Sequence, residues 1–178
     1  HDQYVGMVEI ELNCMVSMLK TKIIPAVKAA GLSTAIMLGG GGGTISPDAG
    51  KTLTLTGPVG GAGGLTMAGA GTLALTGANT YGGGTTLNSG TLSIATDANL
   101  GAAGTGLTFN GATLQTTGNF ATDRSITLNA AGGTMMPAAG TKLTLWQPVT
   151  GSGGLTMAAG LLAYDVIKAR RARPTAAR

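Results

Sequence analysis

Short alternations of hydrophobic and small polar residues fill the middle of the chain. Residues 52–56 read Thr-Leu-Thr-Leu-Thr, residues 73–75 read Leu-Ala-Leu, and residues 91–94 read Thr-Leu-Ser-Ile. Each segment has a period of two, which is typical of a β-strand with one buried face. Glycine-rich stretches separate the segments and predict tight turns. The pattern therefore predicts many short strands joined by glycine corners.

Residues 1–32 follow a helical pattern instead. Apolar residues recur there at spacings of three or four, which predicts an amphipathic α-helix. They are Val8, Leu12, Met15, Leu19, Ile23 and Val27. Pro25 is expected to kink or end the helix. A packing helix that covers the first coil of the following domain is favoured over a targeting segment, because Lys28 interrupts the apolar run and the run is short for a membrane span.

The middle of the chain contains an internal repeat. Residues 36–67 align without a gap on residues 126–157, an offset of 90, and 19 of the 32 pairs are identical. Repeated short strands with glycine corners are typical of a solenoid, in which each coil of the chain stacks on the one before it. We expect Leu, Ile and Val to point inward, and Thr and Ser to point outward or to form ladders.

Composition agrees with a stack of thin coils. Glycine supplies 32 of the 178 residues, of which 30 lie between residues 33 and 160, and only 10% of the chain is charged. Few charges are expected in a solenoid, because stacked positions would place like charges ~4.8 Å apart. The single cysteine, Cys14, cannot form a disulfide within the chain or a structural zinc cluster.

The net charge of +4 lies entirely in residues 161–178. This segment holds five basic residues against Asp165, a balance of 5 − 1 = +4, whereas residues 33–160 hold three of each sign. The cluster of Lys168, Arg170, Arg171 and Arg173 would suit phosphate or anionic lipid. A solvated end is favoured, since no aromatic residue is interleaved and Pro174 breaks any helix. No nucleic acid is expected as a partner.

These patterns divide the chain into three parts. We expect an N-terminal helical segment or cap over residues 1–32, a β-helix repeat domain with a 90-residue period over residues 33–160, and a basic tail over residues 161–178. The fold class that these patterns predict is all-β, a parallel solenoid with an N-terminal α-helix and a short C-terminal tail.

One stretch resembles a known repeat family. Residues 63–67 read Gly-Gly-Leu-Thr-Met, residues 72–76 read Thr-Leu-Ala-Leu-Thr, and residues 79–81 read Asn-Thr-Tyr. This order of motifs is very similar to the autotransporter-associated β-helix repeat, also called the passenger-associated transport repeat. A second copy begins at residue 153 and departs after residue 160, and both copies have methionine where the family usually has lysine. The resemblance covers residues 35–160.

The resemblance implies a right-handed single-stranded parallel β-helix and a structural role. It predicts a β-helix segment of a secreted or surface-displayed passenger of a Gram-negative autotransporter, which acts as a stalk or adhesin scaffold and aids passenger folding and export across the outer membrane. The implied partners are host or matrix surface ligands, glycans, and an outer-membrane translocator barrel. We do not expect the barrel within these residues, since it needs at least eight alternating strands. Open strand edges also allow end-to-end self-association.

A fainter resemblance concerns the N-terminal segment. Residues 8–12, Val-Glu-Ile-Glu-Leu, followed by residues 22–26, Lys-Ile-Ile-Pro-Ala, are similar to the last helical segment of type III glutamine synthetases. The segment carries none of the catalytic machinery of that enzyme, so no synthetase activity is expected.

The residues offer little catalytic chemistry. The only histidine is His1, so no Ser-His-Asp or Cys-His arrangement can form. Asp48, Asp97 and Asp123 fall in different turns and are interpreted as turn residues. We predict no catalytic, cofactor-binding or metal-binding residues, no cofactor and no enzyme activity.

Two binding alternatives remain open. A polysaccharide-binding or polysaccharide-active β-helix would need acids that converge on one face. An ice-binding hydroxyl array would need a Thr-x-Thr pair on every coil, but the pairs at residues 52, 54 and 56 do not recur regularly. Ordinary exposed strand threonines are the favoured interpretation.

Overall fold

The computed structural model describes residues 35–158, so the predicted helix over residues 1–32 and the basic tail over residues 161–178 lie outside the described residues. Within that range the chain forms sixteen short strands and one 3-10 helix, Asp97–Leu100. In chain order the strands are β1 (Ile36–Leu38), β2 (Gly43–Ile45), β3 (Thr52–Leu55), β4 (Val59–Gly61), β5 (Leu65–Met67), β6 (Thr72–Leu75), β7 (Thr85–Leu87), β8 (Thr91–Ile94), β9 (Leu107–Phe109), β10 (Thr113–Thr116), β11 (Phe120–Thr122), β12 (Ile126–Leu128), β13 (Gly133–Pro137), β14 (Leu143–Leu145), β15 (Val149–Gly151) and β16 (Leu155–Met157). No helix in this part of the chain has the length and apolar character needed to cross a membrane.

All of the strand pairings are parallel, and most fall in two six-stranded sheets. Side I contains β2, β5, β7, β9, β12 and β15 in that order. Side II contains β3, β6, β8, β10, β13 and β16. The chain passes through side I and side II once in each coil, so residues 35–158 make six coils. The coils differ in length, since the register pairs Thr72 with Thr91 but Ile126 with Val149. The predicted all-β parallel solenoid is therefore confirmed.

A third side, side III, closes each coil. It is formed by β1 paired with β4 at one end and by β11 paired with β14 near the other. In the two middle coils, residues 79–81 and 97–102 take this place. They continue the stacking through backbone hydrogen bonds, since the Thr80 amide donates to the Val59 carbonyl (2.8 Å) and the Ala102 amide to the Tyr81 carbonyl (3.0 Å).

The core is a single column of inward side chains. Five of the three-residue strands, β5, β7, β9, β12 and β14, bury their first and third residues and leave the second partly exposed. This is the consequence of a two-residue side-chain period on a strand that spans one side. Fully buried apolar side chains include Leu65, Leu73, Leu87, Leu92, Phe109 and Met135. The prediction that Leu and Ile point inward while Thr points outward is confirmed on β5 and β9. On β7, however, Thr85 is also buried, and its hydroxyl hydrogen-bonds to that of Tyr81.

The two copies of the sequence repeat form the same structural unit on different sides. β1 pairs with β4 and β2 with β5, and ninety positions later β12 pairs with β15 and β13 with β16. The register is also equal, since Ile36 lies opposite Val59 and Ile126 opposite Val149. However, β2 and β5 lie on side I, while β13 and β16 lie on side II. The offset therefore spans 4 × 3 + 1 = 13 sides, or four coils and one further side.

Two glycines show how closely the copies agree. Gly61 and Gly151 have φ angles of +104° and +115°, which L side chains rarely adopt. A Cβ on Gly61 would collide with the backbone of Leu38, and one on Gly151 with the backbone of Leu128. Each partner is also ninety positions from its equivalent, so the same corner geometry recurs although the corner has moved by one side.

We predict equal effects of alanine at the two equivalent corners. Gly61→Ala and Gly151→Ala should each lower the free energy of unfolding by at least about 3 kcal/mol, because a positive φ and a backbone collision act together. Gly50 and Gly140 are the controls, since their φ angles are +69° and +76° but the space around them is open. Alanine there should cost about 1–2 kcal/mol. Urea unfolding of the four variants measures this, and a mild effect at Gly61 or Gly151 would contradict the assigned geometry.

Candidate functional site

A continuous column of threonines runs along the outer surface of side I. The central residue of every strand on this side is threonine, and each lies in register with the next. The members are Thr44, Thr66, Thr86, Thr108, Thr127 and Thr150. The column therefore spans all six coils, with neighbouring residues one strand spacing apart, about 4.8 Å.

Side II carries a second column of the same kind. Its members are Thr52, Thr72, Thr91, Thr113, Thr134 and Thr156. The next outward position on side II is mixed, since Ala74, Ser93 and Gln115 follow Thr54 along it. A Thr-x-Thr pair is thus found on side II only in the first coil, within the part of the chain that the structure describes. The array that paired hydroxyls would need is not formed there.

Threonine ladders were expected from the sequence, but the threonines that stack in each column could not be assigned because coil length varies. A search at one fixed period misses partners at unequal spacings, such as Thr72 with Thr91, Thr52 with Thr72 and Thr44 with Thr66. The available signal was the threonine at the centre of each Leu-Thr-Met or Ile-Thr-Leu triplet. β-branched side chains suit this half-exposed position, so the main effect of the columns is to stabilise the strands.

The most elaborate polar cluster in the described residues surrounds Arg124. Its side chain is 1% exposed, and its Nε and Nη2 donate to the two carboxylate oxygens of Asp97 at 2.9 and 3.0 Å. Nη1 donates to the carbonyl of Ala102 (2.9 Å) and to the hydroxyl of Thr105 (2.6 Å), and Nη2 also donates to the carbonyl of Gly101 (3.0 Å). A buried cation is tolerated only with such complete pairing.

Arg124 joins neighbouring coils. It follows β11 in the fifth coil. Its partners Asp97, Gly101 and Ala102 lie on side III of the fourth coil, and Thr105 comes between them and β9. The guanidinium therefore holds residues 97–102, which form no strand on side III, against the next coil. One signal for it was present in the sequence, an arginine in a stretch with only three basic residues. Its structural role was missed because the pairing of Arg124 with Asp97 is not evident without the coil register.

Tyr81 packs beside this cluster. Its side chain is fully buried, and its hydroxyl shares a 2.7 Å hydrogen bond with the hydroxyl of Thr85. The ring lies against Gly101, where a Cβ would approach the ring carbon Cε2 at 2.6 Å. Burial raises the pKa of Tyr81 to about 12, although the hydrogen bond with Thr85 and the positive charge of Arg124 both lower it. The neutral phenol is thus the form that the fold holds.

Two asparagines complete the same corner. The side-chain oxygen of Asn79 accepts from the Val59 amide (2.8 Å), and its nitrogen donates to the Asn99 carbonyl (2.6 Å). Asn99 in turn donates to the Gly77 carbonyl (2.8 Å). Their side chains satisfy backbone groups that the missing side III strands leave without a ladder partner. The Asn-Thr-Tyr motif at residues 79–81 is therefore a corner in which Asn79 and Tyr81 are buried and Thr80 is exposed, and its asparagine links three coils.

The three aspartates singled out in the sequence do not form a common site. Asp97 is held by Arg124, while Asp48 and Asp123 are exposed in the first and fifth coils. Four coil spacings separate those two, about 19 Å along the axis, whereas paired glycosidase carboxylates lie within about 10 Å. Among residues 35–158, no group of three or more His, Cys, Asp or Glu side chains could hold a metal ion.

The coil stacking and the buried corner define this part of the chain as a parallel β-solenoid whose polar groups are used to hold coils together. Residues 65–94 match the model of the family described as Passenger-associated-transport-repeat. The match confirms the resemblance to an autotransporter β-helix repeat found at these residues. Comparison with curated proteins and with solved structures found no match.

We predict that Arg124→Met lowers the free energy of unfolding by about 3–5 kcal/mol, because it leaves Asp97 and several carbonyls without their donor. Urea unfolding measures the change. Lys51→Met is the matched control: Lys51 is exposed, and its replacement should change stability by no more than about 0.5 kcal/mol. A loss below about 1 kcal/mol in Arg124→Met would show that the cluster does not stabilise the corner.

The raised pKa of Tyr81 predicts that the protein loses stability at alkaline pH. A tyrosine with a pKa near 10 unfolded and about 12 folded keeps its proton longer in the folded state. Its contribution to the free energy of unfolding is complete below pH 10. This contribution, about 3 kcal/mol in all, is lost as the pH rises toward 12. Urea unfolding at several pH values should show this decline, and Tyr81→Phe should reduce it. An equal decline in both proteins would assign it to other groups.

Proposed function

We propose that this chain is a structural β-helix segment of an autotransporter passenger, secreted or displayed at the surface of a Gram-negative bacterium. In this proposal it is a stalk or adhesin scaffold rather than an enzyme, and it aids the folding and export of the passenger. The observation that carries the proposal is the family match at residues 65–94.

The place of the match in the fold supports this proposal. Residues 65–94 comprise β5, β6, β7 and β8 together with the corner at residues 79–81. The matched segment is thus a repeating coil unit with its buried asparagine and tyrosine. A unit of this kind stacks on its neighbours and extends a rod by about 4.8 Å per coil, which suits a stalk.

The handedness and the partners are part of the same proposal. Parallel crossover connections are right-handed in nearly all known proteins, so we propose a right-handed single-stranded β-helix. The proposed partners are an outer-membrane translocator and ligands on host or matrix surfaces, glycans among them. The buried charge of Arg124 is paired with Asp97 within the fold, and this pairing supports a scaffold in preference to a catalyst.

A display experiment tests the proposal. The full chain is placed between a secretion signal with an epitope tag and an autotransporter translocator, and expressed in a Gram-negative host. We expect the tag at the cell surface, where external protease removes it from intact cells. A fusion with a flexible Gly/Ser linker of equal length serves as the control, and it should display the tag less efficiently if the solenoid assists export.

Two outcomes would contradict the proposal. Retention of the full-chain fusion in the periplasm, while the linker fusion reaches the surface, would exclude a passenger role. Equal display of both fusions would exclude assistance in export. Gly61→Ala in the fusion adds a test of folding, because a solenoid that drives export should lose that advantage when its corner geometry is disturbed.

A further inference from the structure

We propose that the outer face of side I binds a neutral, linear β-linked glycan on the third, fourth and fifth coils, through asparagine amides and threonine hydroxyls. The inference rests on the proposed function, in which glycans are among the ligands of the passenger, and it names the site and the class of glycan. It starts from a second column of side chains that lies beside the threonine column of side I.

Asparagine stacks on asparagine in these three coils. Two residues after each central threonine the chain again points outward, and the exposed residues there are Asn88, Asn110 and Asn129. The Asn110 amide donates to the carbonyl of Leu87, the residue before Asn88 (2.8 Å). The Asn129 amide donates in the same way to the carbonyl of Phe109 (2.8 Å). The three side-chain amides therefore follow one another at about the strand spacing of 4.8 Å.

Each of these amides has a threonine hydroxyl beside it on the same coil. The pairs are Thr86 with Asn88, Thr108 with Asn110, and Thr127 with Asn129. Within residues 35–158, none of these six side chains makes a hydrogen bond, so their donors and acceptors are open to a ligand. The coil backbone already holds the pairs in register, which lowers the cost of ordering them when a ligand binds.

The array carries no charge. The two outward columns of side I contain no charged residue in the part of the chain that the structure describes, and residues 98–122 contain none at all. A charged partner would lose water here without meeting an opposite charge, whereas a neutral partner would not. The face therefore matches an uncharged polymer.

The chemistry of the array suits sugar hydroxyls. A side-chain amide presents a donor and an acceptor next to each other, so it can bind two neighbouring hydroxyls of one sugar ring. Protein interfaces instead concentrate aromatic residues and arginine, and neither type occurs in the two columns. Cleavage of a glycan would need converging acids, but retention needs only neutral donors and acceptors.

The repetition of the array favours a linear glycan. Successive rings of an extended β-linked chain follow one another at close to the strand spacing, so a chain along the solenoid axis meets an equivalent pair on each coil. Contacts made by linked rings reinforce one another, because every contact after the first is intramolecular. Three weak contacts can thus hold a polymer that a single sugar would leave.

Biolayer interferometry tests the proposal on the full chain, with an immobilised cello-oligosaccharide as the neutral β-linked probe. Asn110→Ala should weaken binding about five- to tenfold, because the central amide is lost. Thr108→Val removes a hydroxyl and keeps the side-chain shape, so it should weaken binding about threefold.

Gln115→Ala is the matched control. It removes an amide from the same coil, but from side II, and should leave the affinity unchanged. Urea unfolding should give equal midpoints for all three variants and the unmodified chain, since the replaced groups make no hydrogen bond within the described residues.

Several outcomes would overturn the inference. They are no binding of the probe, equal weakening by Asn110→Ala and Gln115→Ala, or binding only to a carboxymethylated glucan, which would assign the contact to basic residues. Self-association that Asn110→Ala abolishes, without glucan binding, would assign the face to a second copy instead. Absence of binding by a chain that is displayed normally overturns this inference alone. Binding by a chain that is not displayed supports it and contradicts only the proposed passenger role.

Discussion

Backbone hydrogen bonding between successive coils is the interaction on which the other features of residues 35–158 depend. Each coil both donates to and accepts from the same neighbour, as the Gly43 amide donates to the Gly64 carbonyl and the Ala68 amide to the Ile45 carbonyl. The backbone of every inner coil must therefore be matched on both sides. This requirement places an apolar residue at most inward positions and allows only uncharged, preferably β-branched residues where positions stack outward. It also demands corners in which the backbone of one coil touches the next, as at Gly61 against Leu38.

Where the ladder is interrupted, side chains replace it. Side III has no strands in the two middle coils, and Asn79, Asn99 and Arg124 supply the missing hydrogen bonds to backbone carbonyls and amides. Arg124 is buried at a cost that its bonds to Asp97 and to nearby carbonyl and hydroxyl groups offset. The polar cluster thus reinforces the side of the solenoid that has no strands in the two middle coils.

Sequence patterns predicted the fold class because strand period and glycine corners are local properties. The two-residue alternation in β3, β6 and β8 and the repeat at an offset of 90 were sufficient to predict a parallel solenoid. They did not predict the side on which each copy lies, because coil length varies and the offset is not a whole number of coils. Features that depend on coil register, namely which threonines stack in each column and the Arg124–Asp97 pair, could not be predicted without it. The Asn-Thr-Tyr corner was recognised as a motif, but its burial and its role came only from the fold.

Distances along one threonine column test most directly whether these residues stack as six coils. Spin labels at Thr44 and Thr127 lie four coils apart, and labels at Thr44 and Thr150 five coils apart. The backbone separations are about 19 Å and about 24 Å, so pulsed electron paramagnetic resonance should give a label-to-label distance that is longer in the second pair by about one strand spacing. Equal distances for the two pairs, or a shorter distance for Thr44 and Thr150, would contradict the stack of coils.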